Sequence, residues 1–296
     1  MLTAIIDKFR YTWSLMGASW TVLRHDKELI LFPLLSGICC ILVVASFAVP
    51  VFMTGAYEPP AQDAPVAEHV VYYGLIFLFY VANYFVITFF NTAIIAAAIH
   101  RMQGGDPTVA WGFNEAMKRI HLILGWALVA ATVGLLLRVL EERSGKVGKV
   151  VSAIGGVAWT LVTFLVVPVL VMQNKGPLAA AKESGKLLRR TWGEQVVGNF
   201  SFGMVFFVIN LPAIAAVFGG IALFVGGNSV AGGILIGLAI VYLLIAGLVQ
   251  SALQSIFQAA VYLYATDPPL LEQGQASGHG FPVLLLRDAV VHKTGN

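Results

Sequence analysis

Six stretches of this sequence each run for about 20 residues or more with no Lys, Arg, Asp or Glu near the middle. They fall at about 28–53, 70–99, 121–139, 149–173, 196–225 and 230–266. A helix rising ~1.5 Å per residue crosses a ~30 Å hydrocarbon core in about 20 residues. In hydrocarbon every backbone amide and carbonyl must find a partner within the protein, so such stretches are helices, not open strands. The reading is an all-α polytopic membrane bundle of six transmembrane helices within residues 1–266, followed by a cytoplasmic tail at 267–296. Composition agrees. Hydrophobic residues make up 58% and charged residues 11%, where soluble domains carry about 25% charged. That excludes a water-soluble enzyme, a disordered hub and a nucleic-acid reader. The two cysteines, Cys39 and Cys40, are neighbours inside an apolar run and read as packing residues.

Lys and Arg orient the chain. Fourteen of the 18 fall in the N-terminal segment, the second-to-third loop, the fourth-to-fifth loop and the tail. The remaining four are Arg138, Arg143, Lys146 and Lys149. Basic residues stay in the cytoplasm, so both termini are expected there, which requires an even number of spans. About 27 residues precede the first apolar run, too long a lead for a cleaved signal core, so that run is expected to remain as an anchor.

Three amphipathic interfacial helices are expected ahead of the odd-numbered spans. The first carries Ile5, Phe9, Met16 and Trp20 on one stripe. In the second, Asp106 is the expected N-cap and Pro107 the first helical residue. The third starts at Gly176-Pro177 with a stripe of Leu178, Ala181, Gly185, Leu188 and Trp192. Lys182, Lys186, Arg189 and Arg190 lie beside that stripe as candidate contacts to anionic lipid headgroups of the inner leaflet. Val22-Leu23-Arg24-His25, Ala116-Met117-Lys118-Arg119 and Leu187-Leu188-Arg189-Arg190 align, as do Asp106-Pro107, Gly176-Pro177 and Asp267-Pro268. The unit these suggest is an amphipathic helix followed by two spans, present three times.

Polar residues inside the spans mark a candidate pocket or pathway. Gln250, Gln254 and Gln258 recur every four residues with Ser255 beside them, which puts the three amides on one helix face. Asn83, Asn91 and Asn210 add amides from the second and fifth spans. Two readings stay open: interhelical hydrogen bonds of about 0.6 kcal/mol each, or a polar path. Pro168 and Pro212 are candidate kinks, freeing the carbonyls of Phe164 and Val208. Ser229, Gly233 and Gly237 form a small-residue stripe suited to close helix approach. The apolar patch at 281–286 of the tail is expected to dock back on the cytoplasmic face.

No zinc-protease, P-loop, dinucleotide or Gly-x-Ser-x-Gly motif occurs. No cofactor and no metal are expected, and no enzymatic activity. The absence of a mid-span carboxylate argues against an ion-coupled pump.

The stretch Ser19-Trp20-Thr21-Val22-Leu23-Arg24-His25-Asp26-Lys27-Glu28-Leu29, then Leu31-Phe32-Pro33-Leu34-Leu35-Ser36-Gly37, resembles the opening of a prokaryotic multi-pass membrane family of unknown function; Thr191-Trp192-Gly193-Glu194 is similar too. More distantly, the chain resembles the membrane domain of some glycerophosphodiester phosphodiesterases, whose catalytic part is absent here. The resemblance implies a prokaryotic inner-membrane protein with six helices and brings no catalytic residue. The leading expectation is a non-enzymatic membrane binding or scaffold protein, handling lipid at the inner leaflet. Its partners would be the lipid bilayer, further copies of itself or other membrane proteins, and no nucleic acid. The alternative is a passive permease or channel for a small polar solute along the glutamine face.

Overall fold

The computed structural model describes residues 2–54, 61, 63–143, 145–191, 196–267 and 269. Among them there are helices and turns and no strand. In chain order the α-helices are α1 (Leu2–His25), α2 (Leu31–Thr54), α3 (Val66–Met102), α4 (Val109–Met117), α5 (Ile120–Arg143), α6 (Gly145–Thr163), α7 (Val166–Gln173), α8 (Pro177–Thr191), α9 (Val196–Val225) and α10 (Ser229–Thr266). A short 3-10 turn at Lys27–Ile30 links α1 to α2. Six segments are long and apolar enough to cross a membrane: α2 with its leading turn, α3, α5, α6 with α7, α9 and α10. The tail from residue 270, Trp192, and the side chains of Ile5, Phe9 and Arg190 lie outside the described residues.

The chain divides into two compact units. The first comprises Met1–Ile30, Arg101–Gly105 and Thr191–Asn296. In it α1 packs on α9 and α10, and α9 pairs with α10 along a hairpin. Gly227 makes the hairpin turn at φ +90°, a conformation that an L side chain resists, and Asn228 then caps α10 through its side chain on the Ala231 amide. Beyond the turn the helices meet through bare backbone. A Cβ added at Gly232 would lie 2.6 Å from the Gly220 carbonyl oxygen. Within the chain the contact does not run through the expected stripe. Gly233 and Gly237 face open space, and the close approach runs through Gly220 and Gly232. An α-helix turns about 100° per residue, so a shift of one position moves the contact to a different face.

The second unit comprises Leu31–His100 and Asp106–Arg190. Its α4 is capped by Thr108, whose hydroxyl accepts from the Trp111 amide at 3.1 Å, and not by Asp106. One turn on, the helix packs closely. A Cβ at Gly112 would fall 2.6 Å from the Phe32 ring and 3.0 Å from the Ala93 carbonyl oxygen, so α4 can lie against α2 and α3 in one register only. The fourth span is interrupted at Phe164–Leu165, dividing it into α6 and α7 one turn ahead of Pro168. The proline ring excludes the carbonyl four residues earlier, that of Phe164, from helical bonding. The Leu165 amide at the break is taken up by the Ser184 hydroxyl of α8 at 3.0 Å. That contact sets the side that α8 turns toward protein. Ala180, Ser184 and Leu187 are buried, while Leu178 is 71% exposed. Small residues let α8 approach the break closely, which the large apolar ones would prevent.

Burial is lopsided. In α3 no residue of 66–87 is buried, whereas all of 88–99 but Asn91 are. In α10 all of 252–263 are buried except Gln254 and Gln258. Elsewhere large apolar side chains lie open, among them Ile41, Phe52, Phe218, Ile234 and Leu244. Contiguous surfaces of that kind are incompatible with water and ordinary in lipid.

Candidate functional site

The first unit carries an apolar groove of about 520 Å³. Its walls are Trp13, Met16, Gly17 and Trp20 of α1, Phe206 and Ile209 of α9, and the 242–253 stretch of α10. The α1 wall follows from helical spacing, since steps of three and four place all four residues on one face. The groove's opposite wall contains one phenol, Tyr242, and its hydroxyl donates to the Ile209 carbonyl oxygen at 2.9 Å. That carbonyl lies three residues before Pro212, within an α9 that stays helical through the proline. The surface left to a ligand is almost purely hydrocarbon, flanked by two partly exposed tryptophans, at 57% and 43%. The volume falls within the ~300–1,000 Å³ of ordinary small-molecule sites. The Trp13-to-Trp20 spacing was the only trace of this groove in the sequence.

The polar residues singled out above are spread over both units. Gln250, Gln254 and Gln258 are half-buried on α10 and line none of the three cavities described here. The Ser255 hydroxyl donates back to the Ser251 carbonyl at 3.0 Å. Asn210 is half-buried on α9, with its side-chain oxygen enclosed and without a hydrogen-bond partner. In the second unit Asn83 donates to the Phe79 carbonyl of its own helix at 2.9 Å, and Asn91 is half-buried.

The exposed side of α8 carries Lys182, Lys186 and Arg189, at steps of four and three on one face. Glu183 pairs with Lys175 at 3.1 Å and reaches Lys186 at 3.8 Å. At the end of α4, Glu115 receives Lys118 at 2.5 Å and Arg119 at 2.6 Å. Burial pushes the Glu115 carboxyl up, but the hydrogen bonds and charges of those two residues outweigh it and hold its pKa below the ordinary value. Among the described residues no three His, Cys, Asp or Glu side chains come together as a metal site.

A comparison with curated proteins finds no match. A family model matches residues 70–270, which takes in most of α3 and all of α4 to α10. The match begins beyond the Ser19–Gly37 stretch and beyond α1, so the tryptophan wall of the groove lies outside it. The matched region exceeds half of the 296-residue chain, and the protein belongs to this family of unknown function (DUF6159).

Proposed function

We propose that the protein is a non-enzymatic membrane binding or scaffold protein that takes the acyl chain of a lipid into the groove between α1, α9 and α10. The observation that carries this reading is the groove itself: about 520 Å³, lined by hydrocarbon, with its one phenol already committed to backbone. An apolar ligand loses nothing to unpaired polar groups there. The basic face of α8 supports an inner-leaflet setting, since each Lys or Arg near an anionic surface adds about 1 kcal/mol. In this reading the membrane is a prokaryotic inner membrane, both termini are cytoplasmic, and α1, α4 and α8 lie at the headgroups, each leading a pair of spans. The threefold unit is part of the proposal, as is association with further copies or other membrane proteins. The distant likeness to phosphodiesterase membrane domains is in keeping with a lipid-facing role.

The test uses the full chain and a lipid brominated on its acyl chain, which quenches nearby tryptophan. Quenching should be strong in the unaltered protein and fall by roughly half in Trp13→Phe/Trp20→Phe. Filling the groove with Ala246→Trp should weaken uptake of a fluorescent acyl probe about tenfold. Equal uptake by the two proteins would sink the reading. The permease alternative draws on the enclosed, partnerless oxygen of Asn210 and the glutamine stripe. Solute flux in proteoliposomes that disappears in Gln254→Leu would favour it.

A further inference from the structure

The second unit holds two adjoining hollows at the end where α2 turns toward α3 and α5 toward α6. One is an apolar cleft of about 330 Å³ between α2 and α3, with Val44, Phe47 and Phe52 facing Tyr72, Leu75 and Phe79. The Phe47 and Phe79 rings meet edge to face at 5.5 Å. The other, of about 700 Å³, mixes polar with apolar surface and is the more polar of the two, bounded by Tyr80 of α3, Leu137, Arg138 and Glu141 of α5, and Lys149 and Ser152 of α6. Arg138 lines both. Gly134 borders this hollow beside Tyr80, and a Cβ there would meet the Tyr84 hydroxyl at 3.4 Å, an ordinary contact.

We propose that this pair of hollows is a site for one phospholipid bearing both a phosphate and a primary ammonium, of the phosphatidylethanolamine type. The charges match it. Arg138 and Lys149 are two cations for one phosphodiester, and a guanidinium can hold two of its oxygens at once. Glu141 gives the remaining charge a partner, and a primary ammonium can donate hydrogen bonds to it where a quaternary one cannot. Ser152 offers a further donor. The Phe47–Phe79 cleft takes the adjoining hydrocarbon. Depth agrees as well. Arg138 lies 18 residues along α5 from Ile120, about 27 Å of helix, which brings it close to the far boundary of a ~30 Å core. A lipid with a purely anionic headgroup offers Glu141 no ammonium to receive, and free phosphate leaves the apolar cleft empty.

The inference shares with the proposed function only the lipid surroundings. Its test is therefore run in both the unaltered protein and the groove-filled Ala246→Trp variant. Delipidated full-length protein in detergent is offered phosphatidylethanolamine, phosphatidylcholine or phosphatidylglycerol with identical chains, and bound lipid is counted by native mass spectrometry. The amine lipid should exceed each of the others by about fivefold, in both backgrounds. Arg138→Gln with Lys149→Gln should lower its retention about tenfold, and Glu141→Gln should abolish the choice between amine and choline while binding persists. Equal retention of the three lipids by the unaltered chain overturns the site. So does a preference that Glu141→Gln leaves intact. A photoactivatable amine lipid locates the site independently of any variant: crosslinks on α2, α3, α5 or α6 support it, and crosslinks confined to α1, α9 or α10 refute it. Unchanged uptake of the acyl probe by Ala246→Trp, with the headgroup preference retained, would remove the groove reading alone.

Discussion

The Tyr242 hydroxyl of α10 hydrogen-bonds to the Ile209 carbonyl of α9 at 2.9 Å, just ahead of Pro212. A proline inside a membrane helix leaves nearby carbonyls short of partners, and lipid supplies none. Tyr242→Phe removes the donor and keeps the ring. It should cost about 1 kcal/mol in a reversible unfolding titration. In a Pro212→Ala background, where the helix can recover its own bonds, the cost should shrink. Equal costs in the two backgrounds would separate the tyrosine from the proline.

Gly232→Ala should be far worse than Gly233→Ala. The first places a methyl 2.6 Å from the Gly220 oxygen and 2.8 Å from the Phe224 nitrogen, and the second meets open space. Overpacking of this kind costs about 1–3 kcal/mol, and here the obstacle is backbone that cannot swing aside. Thermal midpoints of the two purified variants, compared with the parent, decide it.

Ser184→Ala strips the Leu165 amide of its acceptor at the break between α6 and α7. An orphaned buried amide costs about 1–3 kcal/mol. Amide hydrogen exchange should rise at Leu165 and its neighbours more than in α5. Protection unchanged across the break would contradict the role given to this serine.

Glu115→Gln should make stability less dependent on acid. The carboxyl's folded pKa lies below its reference of 4.5, so its ionised form contributes fully above that reference, and the contribution fades as pH falls through the folded value. At pH 7 the variant should be less stable by about 1 kcal/mol, discounted for the exposure of Lys118. The gap in midpoint between parent and variant should narrow as pH falls below that reference and close once it has passed through the folded pKa.

Neutralising Lys182, Lys186 and Arg189 together should reduce interaction of the basic face of α8 with anionic lipid by about 1 kcal/mol per residue at low salt. In co-sedimentation with vesicles of phosphatidylglycerol, a synthetic peptide of residues 175–191 should bind, and its triply neutralised form should not. A loss equally large on neutral vesicles would point to the apolar residues instead.

The spans were legible because solvent dictates them: length, apolarity and absent charge are local properties, and α9 begins and ends where the sequence expected, at 196 and 225. The disturbance at Pro168 was legible for the same reason, since the ring acts within its own helix. What answers it, Ser184, stands 19 residues away and could not be read from spacing. Asp106 and Thr108 are both cap residue types, and spacing alone does not tell which of them takes the Trp111 amide. The side of α8 that meets protein, with Ala180 and Ser184, is a different one from the apolar stripe that periodicity marks for the lipid boundary. The groove escaped notice because three helices far apart in sequence each contribute an unremarkable wall. The polar hollow escaped because Arg138 and Lys149 had been counted only as charges that orient the chain.

In α3 and α10, protein encloses one half and leaves the other to its surroundings. The enclosed halves keep their geometry in any host. The open halves meet protein on one side only, α3 at Phe47 and Gly134 and α10 at Gly220 and Ile209 of α9, and the thickness of the hydrocarbon around them sets how far they lean. Thinner and thicker bilayers should therefore change the inclination of 66–87 and 229–251 while 88–99 and 252–263 stay put, so that this chain behaves as a gauge of the membrane that holds it.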